Sequence, residues 1–279
     1  MIKTYAMLTK PGIIMGNLIT TTAGFALAAR GVFHPLLFLI TVIGLGLVIA
    51  SACVCNSYID RLSDRKMART RTRPLATGRI SIRSALVFAA FMGVAGIAIL
   101  AFYTNLVATG VALSGFVIYV FLYSLLKHHT RYATLIGSIS GAVPPVAGYA
   151  AAGGTFDLGA LLLFLLLVFW QMPHFYAIAI YRFADYKAAS IPVMPIVKGV
   201  ERTHIHMLLY ITAFFITALL LYELGFASLA YYHAASITGF GWLILCLQGF
   251  RSTPTPTWAR HMFFFSLVTI VLLSFTMML

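Results

Sequence analysis

Nine mainly apolar stretches follow one another along the chain, near residues 13–30, 36–58, 84–103, 106–126, 133–152, 160–182, 204–224, 227–247 and 260–279. Crossing a hydrocarbon layer of about 30 Å takes about 20 helical residues at 1.5 Å each. Each stretch therefore predicts one membrane-spanning helix. Polar residues collect in the short connections between them, and the longest such interval, near 61–83, leaves no room for a soluble domain. The pattern predicts an all-α polytopic membrane protein, one membrane domain over residues 1–279. Pro144–Pro145 and Pro173 fall inside stretches and predict breaks there, the first pair amid Gly137, Gly141 and Gly148, which allow close helix approach.

Composition agrees with this pattern. The chain is 61% hydrophobic and 9% charged, which excludes an ordinary soluble protein. Lys3 and Lys10 before the first stretch, and Ala26, Ala28 and Ala29 within it, give it the look of a secretory signal. Its length and the eight stretches after it favour an uncleaved helix. Cys53, Cys55 and Cys246 sit in or beside apolar stretches and are expected to be small core residues, with neither disulfide nor zinc spacing.

Charge then orients the helices. With the N-terminus inside, 18 of the 19 basic residues fall on inner segments: Lys3 and Lys10, the interval Arg61–Arg83, Lys127 and Arg131, Arg182 to Arg202, then Arg251 and Arg260. Only Arg30 is outside. Such a bias sets topology. It also accounts for most of the net charge of +13, through orientation and attraction to anionic headgroups. It does not explain why Asp60, Asp64, Asp185 and Glu201, four of the six acidic residues, lie among those bases.

Asn56, Asp60 and Asp64 recur every fourth residue. On a helix such residues stack on one face, about 6 Å apart along the axis. That makes a row of hard oxygen ligands suited to Mg²⁺. The same spacing also suits a solvated helix end, each Asp paired with Arg61, Arg65 or Lys66. After it comes a loop bounded by Pro74 and Gly78, in which Arg69, Arg71 and Arg73 alternate with threonines. Between 61 and 83 there are seven arginines and one lysine, a preference that favours recognition of an anion such as a diphosphate. In the second inner loop, a helix continued through residue 185 would put His174, Tyr181, Arg182 and Asp185 on one face. Pro192 and Pro195 then force the chain out of it. By sequence, His174 is equally a packing residue or a member of a functional cavity. Phe169, Trp170, Phe175 and Tyr176 read mainly as lipid-facing or packing residues, of which only those on the His174 face could line a site; His128 and His129, with Lys127 and Arg131, read as interfacial. His204 and His206 open the seventh span but face two directions, unlike a metal pair. His233 and His261 have no assigned place.

N-S-Y-I-D-R-L-S-D at 56–64, with Tyr181–Tyr186 as a second motif, resembles the UbiA superfamily of intramembrane prenyltransferases. R-T-R-T-R-P-L-A-T-G, W-Q-M-P-H-F-Y-A-I-A-I-Y-R-F-A-D-Y and I-P-V-M-P-I-V-K-G are similar to signatures of its heme-farnesylating branch (protoheme IX farnesyltransferases, or heme O synthases). The resemblance runs from the K-P-G at Lys10 to about residue 206. It departs from the wider superfamily in the second motif, where Asp185 is the sole aspartate and Tyr181 stands in place of another. Phe175–Tyr176 stands where the branch often has Phe-Trp.

This resemblance implies nine helices around a central cavity open at the cytoplasmic side. It implies farnesyl transfer from farnesyl diphosphate to a vinyl group of heme B, with addition of water. Asn56, Asp60 and Asp64, with Asp185 opposite, would hold Mg²⁺ and, with Tyr181, form the catalytic set. Arg69, Arg73, Arg182, Lys187 and Lys198 would bind the diphosphate and His174 the heme. Whether one or two Mg²⁺ ions are held stays open. The implied partners are the two substrates and the lipid bilayer, with no nucleic acid; a terminal oxidase as assembly partner stays open. The lack of an N-terminal transit extension favours a bacterial inner membrane. Two rivals remain, a prenyltransferase acting on an aromatic quinone precursor and a membrane transporter. The first would favour a second aspartate at 181–185, and the second would favour ionisable residues at mid-membrane.

Overall fold

The computed structural model describes residues 2–250 and 255–279, so Arg251, expected on an inner segment, lies outside the described residues. A short helix α1 (Ile2–Leu8) precedes α2 (Pro11–Ala29) and α3 (Pro35–Ile59). A single turn, α4 (Arg61–Asp64), opens the first loop, and α5 (Ile82–Tyr103) and α6 (Leu106–Val117) follow. α6 passes through a π-helical turn at Ile118–Tyr123 into α7 (Ser124–Leu126). The fifth span is split into α8 (Ala133–Gly141) and α9 (Val143–Gly153), and the sixth is α10 (Leu158–Tyr181). Then come α11 (Phe183–Ala188), α12 (Met194–Lys198), α13 (Val200–Glu223), α14 (Leu229–Gln248) and α15 (Pro256–Thr276). Among the described residues, nine helical segments are long and apolar enough to cross a membrane, at the places the hydrophobic pattern predicts.

Local sequence explains the boundaries. Ser81, Asn105, Asp157, Ser228 and Thr255 each accept a backbone N–H three residues on, satisfying donors that a helix start leaves free. Pro11, Pro35 and Pro256 stand at first-turn positions, where no N–H is needed. The fifth span breaks at Ala142, just before Pro144–Pro145, as expected. Pro173 does not break α10, which runs continuously past it. The seventh and ninth spans each begin four residues earlier than the apolar pattern suggests: Glu201 and Arg202 remain in helix at the polar boundary, and Thr255 caps the ninth helix with Pro256 in its first turn.

Two close helix pairs frame the interior. α2 and α9 meet where Gly24 faces the Pro145 carbonyl and Gly148 faces that of Thr21; a Cβ on either glycine would lie 2.0 or 2.3 Å from those oxygens. α3 and α5 meet through Gly44, Gly93 and Gly96. A large apolar core joins α10, α13, α14 and α15, centred on Met207, Phe214 and Trp242. α15 returns to pack against α2, closing a ring of helices around a central space. Exposed Leu36, Phe91, Phe102, Leu106 and Ile237 point outward, as a lipid-facing surface requires.

Candidate active site

α3 delivers Asn56 in its last turn, and the helical bonding continues beyond it: the Asp60 N–H reaches the Asn56 carbonyl at 2.9 Å and the Asp64 N–H reaches that of Asp60 at 2.8 Å. The three side chains therefore keep the helical row predicted from their spacing, and all three are buried. None is paired with Arg61, Arg65 or Lys66. Lys10 Nζ donates to Asn56 Oδ1, Lys127 Nζ donates to Asp60 Oδ2, and Arg73 Nη1 reaches both Asp64 oxygens at 2.9 and 3.0 Å. Arg61 turns instead to the Tyr58 carbonyl and ring, and Arg65 to the Ala76 carbonyl. A row of oxygens is thus met by a row of cations from three separate parts of the chain.

Lys10 holds the left-handed conformation at φ 53°, unusual for a residue with a side chain. It caps α2 between two helices, its stem half-exposed and its ammonium deep beside Cys53, Arg73 and Asp60. Burial there lowers Lys10 to about 8. Burial pushes Asp60 the other way, but His128, Lys127 and Lys10 together outweigh it and hold the carboxyl at about 2. Asp60 Oδ1 has no hydrogen-bond partner, and His128 Nε2 is 3.5 Å away. Lys127 and His128 therefore stand against the acidic row, where a merely interfacial place was expected.

The π-helical turn explains how Lys127 arrives. Asn56 Nδ2 donates to Ser124 Oγ at 2.9 Å, and Ser124 Oγ donates back to the Tyr119 carbonyl at 2.8 Å. The extra residue in that turn brings Tyr119 and Tyr123 onto the interior, stacked at 5.3 Å, with Lys127 one turn beyond. Both tyrosines line a central cavity of about 540 Å³ whose walls are mainly apolar. Its lining comes from α2, α3, α6, the π turn, α8, α9, α10 and α15, and, among the described residues, none of it from α5, α13 or α14. Cys53 and Tyr123, each within about a turn of the ionic cluster, bring the cavity up to it.

His174 is in the cavity wall, its ring against Trp170 at 4.8 Å and Phe263 at 5.0 Å, and its Nδ1 2.7 Å from Ser266 Oγ. Trp170, one turn before His174 on its face, also lines the cavity, as that face allows; Phe175 lines it too, contrary to the lipid-facing or packing role expected for it. Tyr176 is a core residue and Phe169 packs beside it, as expected. The shared face from His174 to Asp185 does not form. α10 ends at Tyr181, Arg182 leaves helical geometry at φ −106° and ψ 28°, and Asp185 belongs to α11.

Asp185 instead lines a second, more open pocket with Arg69, Tyr181 and Arg182. The Tyr181 ring has the guanidinium groups of Arg182 and Arg260 over it at 4.4 and 5.9 Å. Lys187 and Lys198 are exposed on the same loop. The two loops pack together through Met67, Ala189 and Ile191, with Tyr186 alongside. Burial there raises Tyr186 to about 12. No three His, Cys, Asp or Glu side chains are grouped to hold an ion among the described residues, so Asp185 does not complete the carboxylate set of Asp60 and Asp64. His204, placed by sequence at the start of a span, is buried within α13, bonded to the Cys246 carbonyl at 2.8 Å and stacked on Phe250 at 3.9 Å.

Comparison with known proteins matches this arrangement. Residues 17–268 match the UbiA prenyltransferase family. A protoheme IX farnesyltransferase of Protochlamydia amoebophila is 50% identical over 99% of this chain and 98% of its own. That of Chromohalobacter salexigens is 51% identical over 99% and 94%. A digeranylgeranylglyceryl phosphate synthase structure superposes with a TM-score of 0.82 at 18% identity, covering 99% of this chain and 97% of that one. A UbiA homologue from Archaeoglobus fulgidus bound to DMAPP and Mg²⁺ gives 0.71 at 17% identity and 99% of each chain. With the match spanning the acidic row, the cavity and most of the ring of helices, this chain belongs to the UbiA prenyltransferase family.

Proposed function

We propose that this chain transfers a farnesyl group from farnesyl diphosphate to a vinyl group of heme B, adding water and releasing heme O and diphosphate. The observation that carries the reading is the half-identity, over nearly its full length, to protoheme IX farnesyltransferases. The site is of the right kind: an apolar cavity for a prenyl chain and a porphyrin, ending at a cluster rich in cations. We place the cluster on the cytoplasmic side of a bacterial inner membrane, from the basic bias of those segments. The ring of helices acts as a single domain.

The donor set fits a hard divalent cation. Asn56, Asp60 and Asp64 offer hard oxygen ligands, the Asn56 nitrogen being turned to Ser124, and the buried Asp60 Oδ1 lacks a partner. Asn56, Asp60 and Asp64 would hold Mg²⁺, while Asp185 lies apart from them beside Arg69 and Arg182 in the second pocket. When bound, the metal supplies Lewis-acid stabilisation of the leaving diphosphate. The chain's own cations stabilise the same charge, Lys10, Lys127 and Arg73 around the row, and Arg69, Arg182, Lys187 and Lys198 from the loops. Tyr181, whose ring meets the guanidinium groups of Arg182 and Arg260, orients them at the mouth.

Cleavage of the allylic C–O bond leaves a farnesyl cation in a cavity lined by the aromatic rings of Tyr119, Tyr123, Trp170 and Phe175, side chains able to stabilise positive charge. The vinyl carbon of heme attacks it, and water closes the resulting carbocation beside the porphyrin, losing a proton. His174 contacts the heme. In purified protein at limiting Mg²⁺, Asp60→Ala and Asp64→Ala are expected to lose diphosphate release with farnesyl diphosphate and heme B. Normal turnover in either variant would remove the metal-holding role.

A further inference from the structure

We infer that Ser266, on α15, fixes the imidazole of His174 as an Nδ1–H donor and so presents Nε2 as a bare lone pair to the iron of the heme in the central cavity. This rests on the reading that the cavity takes heme. Ser266 Oγ lies 2.6 Å from the Phe263 carbonyl and 2.7 Å from His174 Nδ1. A hydroxyl has one hydrogen, and a carbonyl can only accept. The shorter of the two contacts is to the Phe263 carbonyl, so we assign that hydrogen to Phe263, and Ser266 Oγ then accepts from the imidazole. In a neutral ring with its proton on Nδ1, Nε2 has none.

The same residue holds the ring's neighbour. Trp170 Nε1 donates to the Ser266 carbonyl at 2.9 Å, and the Trp170 and His174 rings stack at 4.8 Å. Phe263 covers the imidazole at 5.0 Å, and Phe175 meets it edge-on at 5.6 Å. Two anchors to one residue and three aromatic contacts leave the imidazole one orientation. Nε2 makes no hydrogen bond among the described residues, yet it is not a sealed orphan, because His174 lines the cavity. An imidazole whose far nitrogen is tied to an acceptor is the arrangement metal-ligating histidines take. A general base becomes an imidazolium, and the neutral Ser266 hydroxyl on Nδ1 offers no charge to stabilise one, whereas an iron ligand stays neutral. The geometry favours a ligand. Ser266 is thus a positioning residue acting through His174.

The test uses the full chain in detergent, titrated with heme B without farnesyl diphosphate, read by absorption and resonance Raman spectra. The wild type is expected to show a histidine-ligated iron that His174→Ala lacks. Ser266→Ala should still bind heme but with a shifted iron–histidine band and an affinity lower by about 10-fold or more, the usual cost of losing an outer partner of a metal-bound histidine. Ser266→Thr, which keeps a hydroxyl, should restore the wild-type band. Should Ser266→Ala not fold, Ser266→Cys replaces it, since a thiol is a poorer acceptor and should shift the band as well. An unshifted band in either variant overturns the inference. So does an unchanged spectrum in His174→Ala while the wild type still makes farnesylated heme, a result that would spare the acceptor assignment. If wild-type protein farnesylates no heme at all, the acceptor reading fails and this inference with it.

Discussion

Replacing Lys127 by Met removes the cation bound to Asp60 while keeping a chain of similar length. Both partners are largely buried, their side chains each 11% exposed, and Asp60 Oδ1 already lacks a hydrogen bond. Stripping one member from such a pair costs about 3–5 kcal/mol, because the remaining charge is left without compensation. The loss raises the Asp60 carboxyl from its value near 2 toward the range where burial would place it, although His128 and Lys10 still hold it down. At pH 8 the carboxylate still ionises and the full cost is felt; at pH 5 much of it is relieved by protonation. In metal-free protein held in EDTA, the thermal midpoint should fall by on the order of 10 °C at pH 8, and by clearly less at pH 5. Adding Mg²⁺ should recover more stability in Lys127→Met than in the wild type, since a metal would fill the place the ammonium leaves. Asp60→Asn combined with Lys127→Met should regain most of the loss, as two uncharged partners do not need each other. A midpoint unchanged in EDTA at pH 8, or a double variant no better than the single one, would refute the view that these charges are coupled.

Three other outcomes follow from the same geometry. Burial sets Lys10 near 8, below its ordinary 10.5, so its charge is present below that pH and lost above it. The kcat/KM for farnesyl diphosphate, which reports groups of the free enzyme, should decline above pH 8; Lys10→Arg should move that limb upward and Lys10→Met should abolish it. Asp60 has the usual acidic sign: its depressed value supplies about 2 kcal/mol of stability, present above pH 4 and lost as pH falls through about 2, visible as acid unfolding that Asp60→Asn flattens. Gly148→Ala sets a methyl 2.3 Å from the Thr21 carbonyl, a backbone atom that cannot rotate away, and should cost about 1–3 kcal/mol or more in a thermal melt.

The helices were largely legible because each must bury about 20 apolar residues in lipid, a requirement written directly into composition. The acidic row was legible too, since a period of four maps onto one helix face and the bonds through Asp60 preserve it. Its partners were not. Lys10 and Lys127 lie 46 and 67 residues from the groups they meet, and in sequence both look like ordinary inner-side charges. The one local sign for Lys10 is the Pro-Gly that follows it. The π turn had no signal at all, since Ile118–Tyr123 is as apolar as any span. The single face from His174 to Asp185 assumed an unbroken helix, and nothing between Tyr181 and Phe183 announces that Arg182 leaves it. Ser266 looks like one more small residue in an apolar helix until α15 is packed against α10.

The most direct test is the mass of the product. Purified protein is incubated with heme B, farnesyl diphosphate and Mg²⁺, and the extracted hemes are separated by hydrophobicity and weighed. A new heme heavier by a farnesyl group plus water, missing with EDTA and in Asp64→Ala, is the expected result. Recovery of unmodified heme, with prenylation of an aromatic quinone precursor under the same conditions, would contradict the assignment of heme as the acceptor.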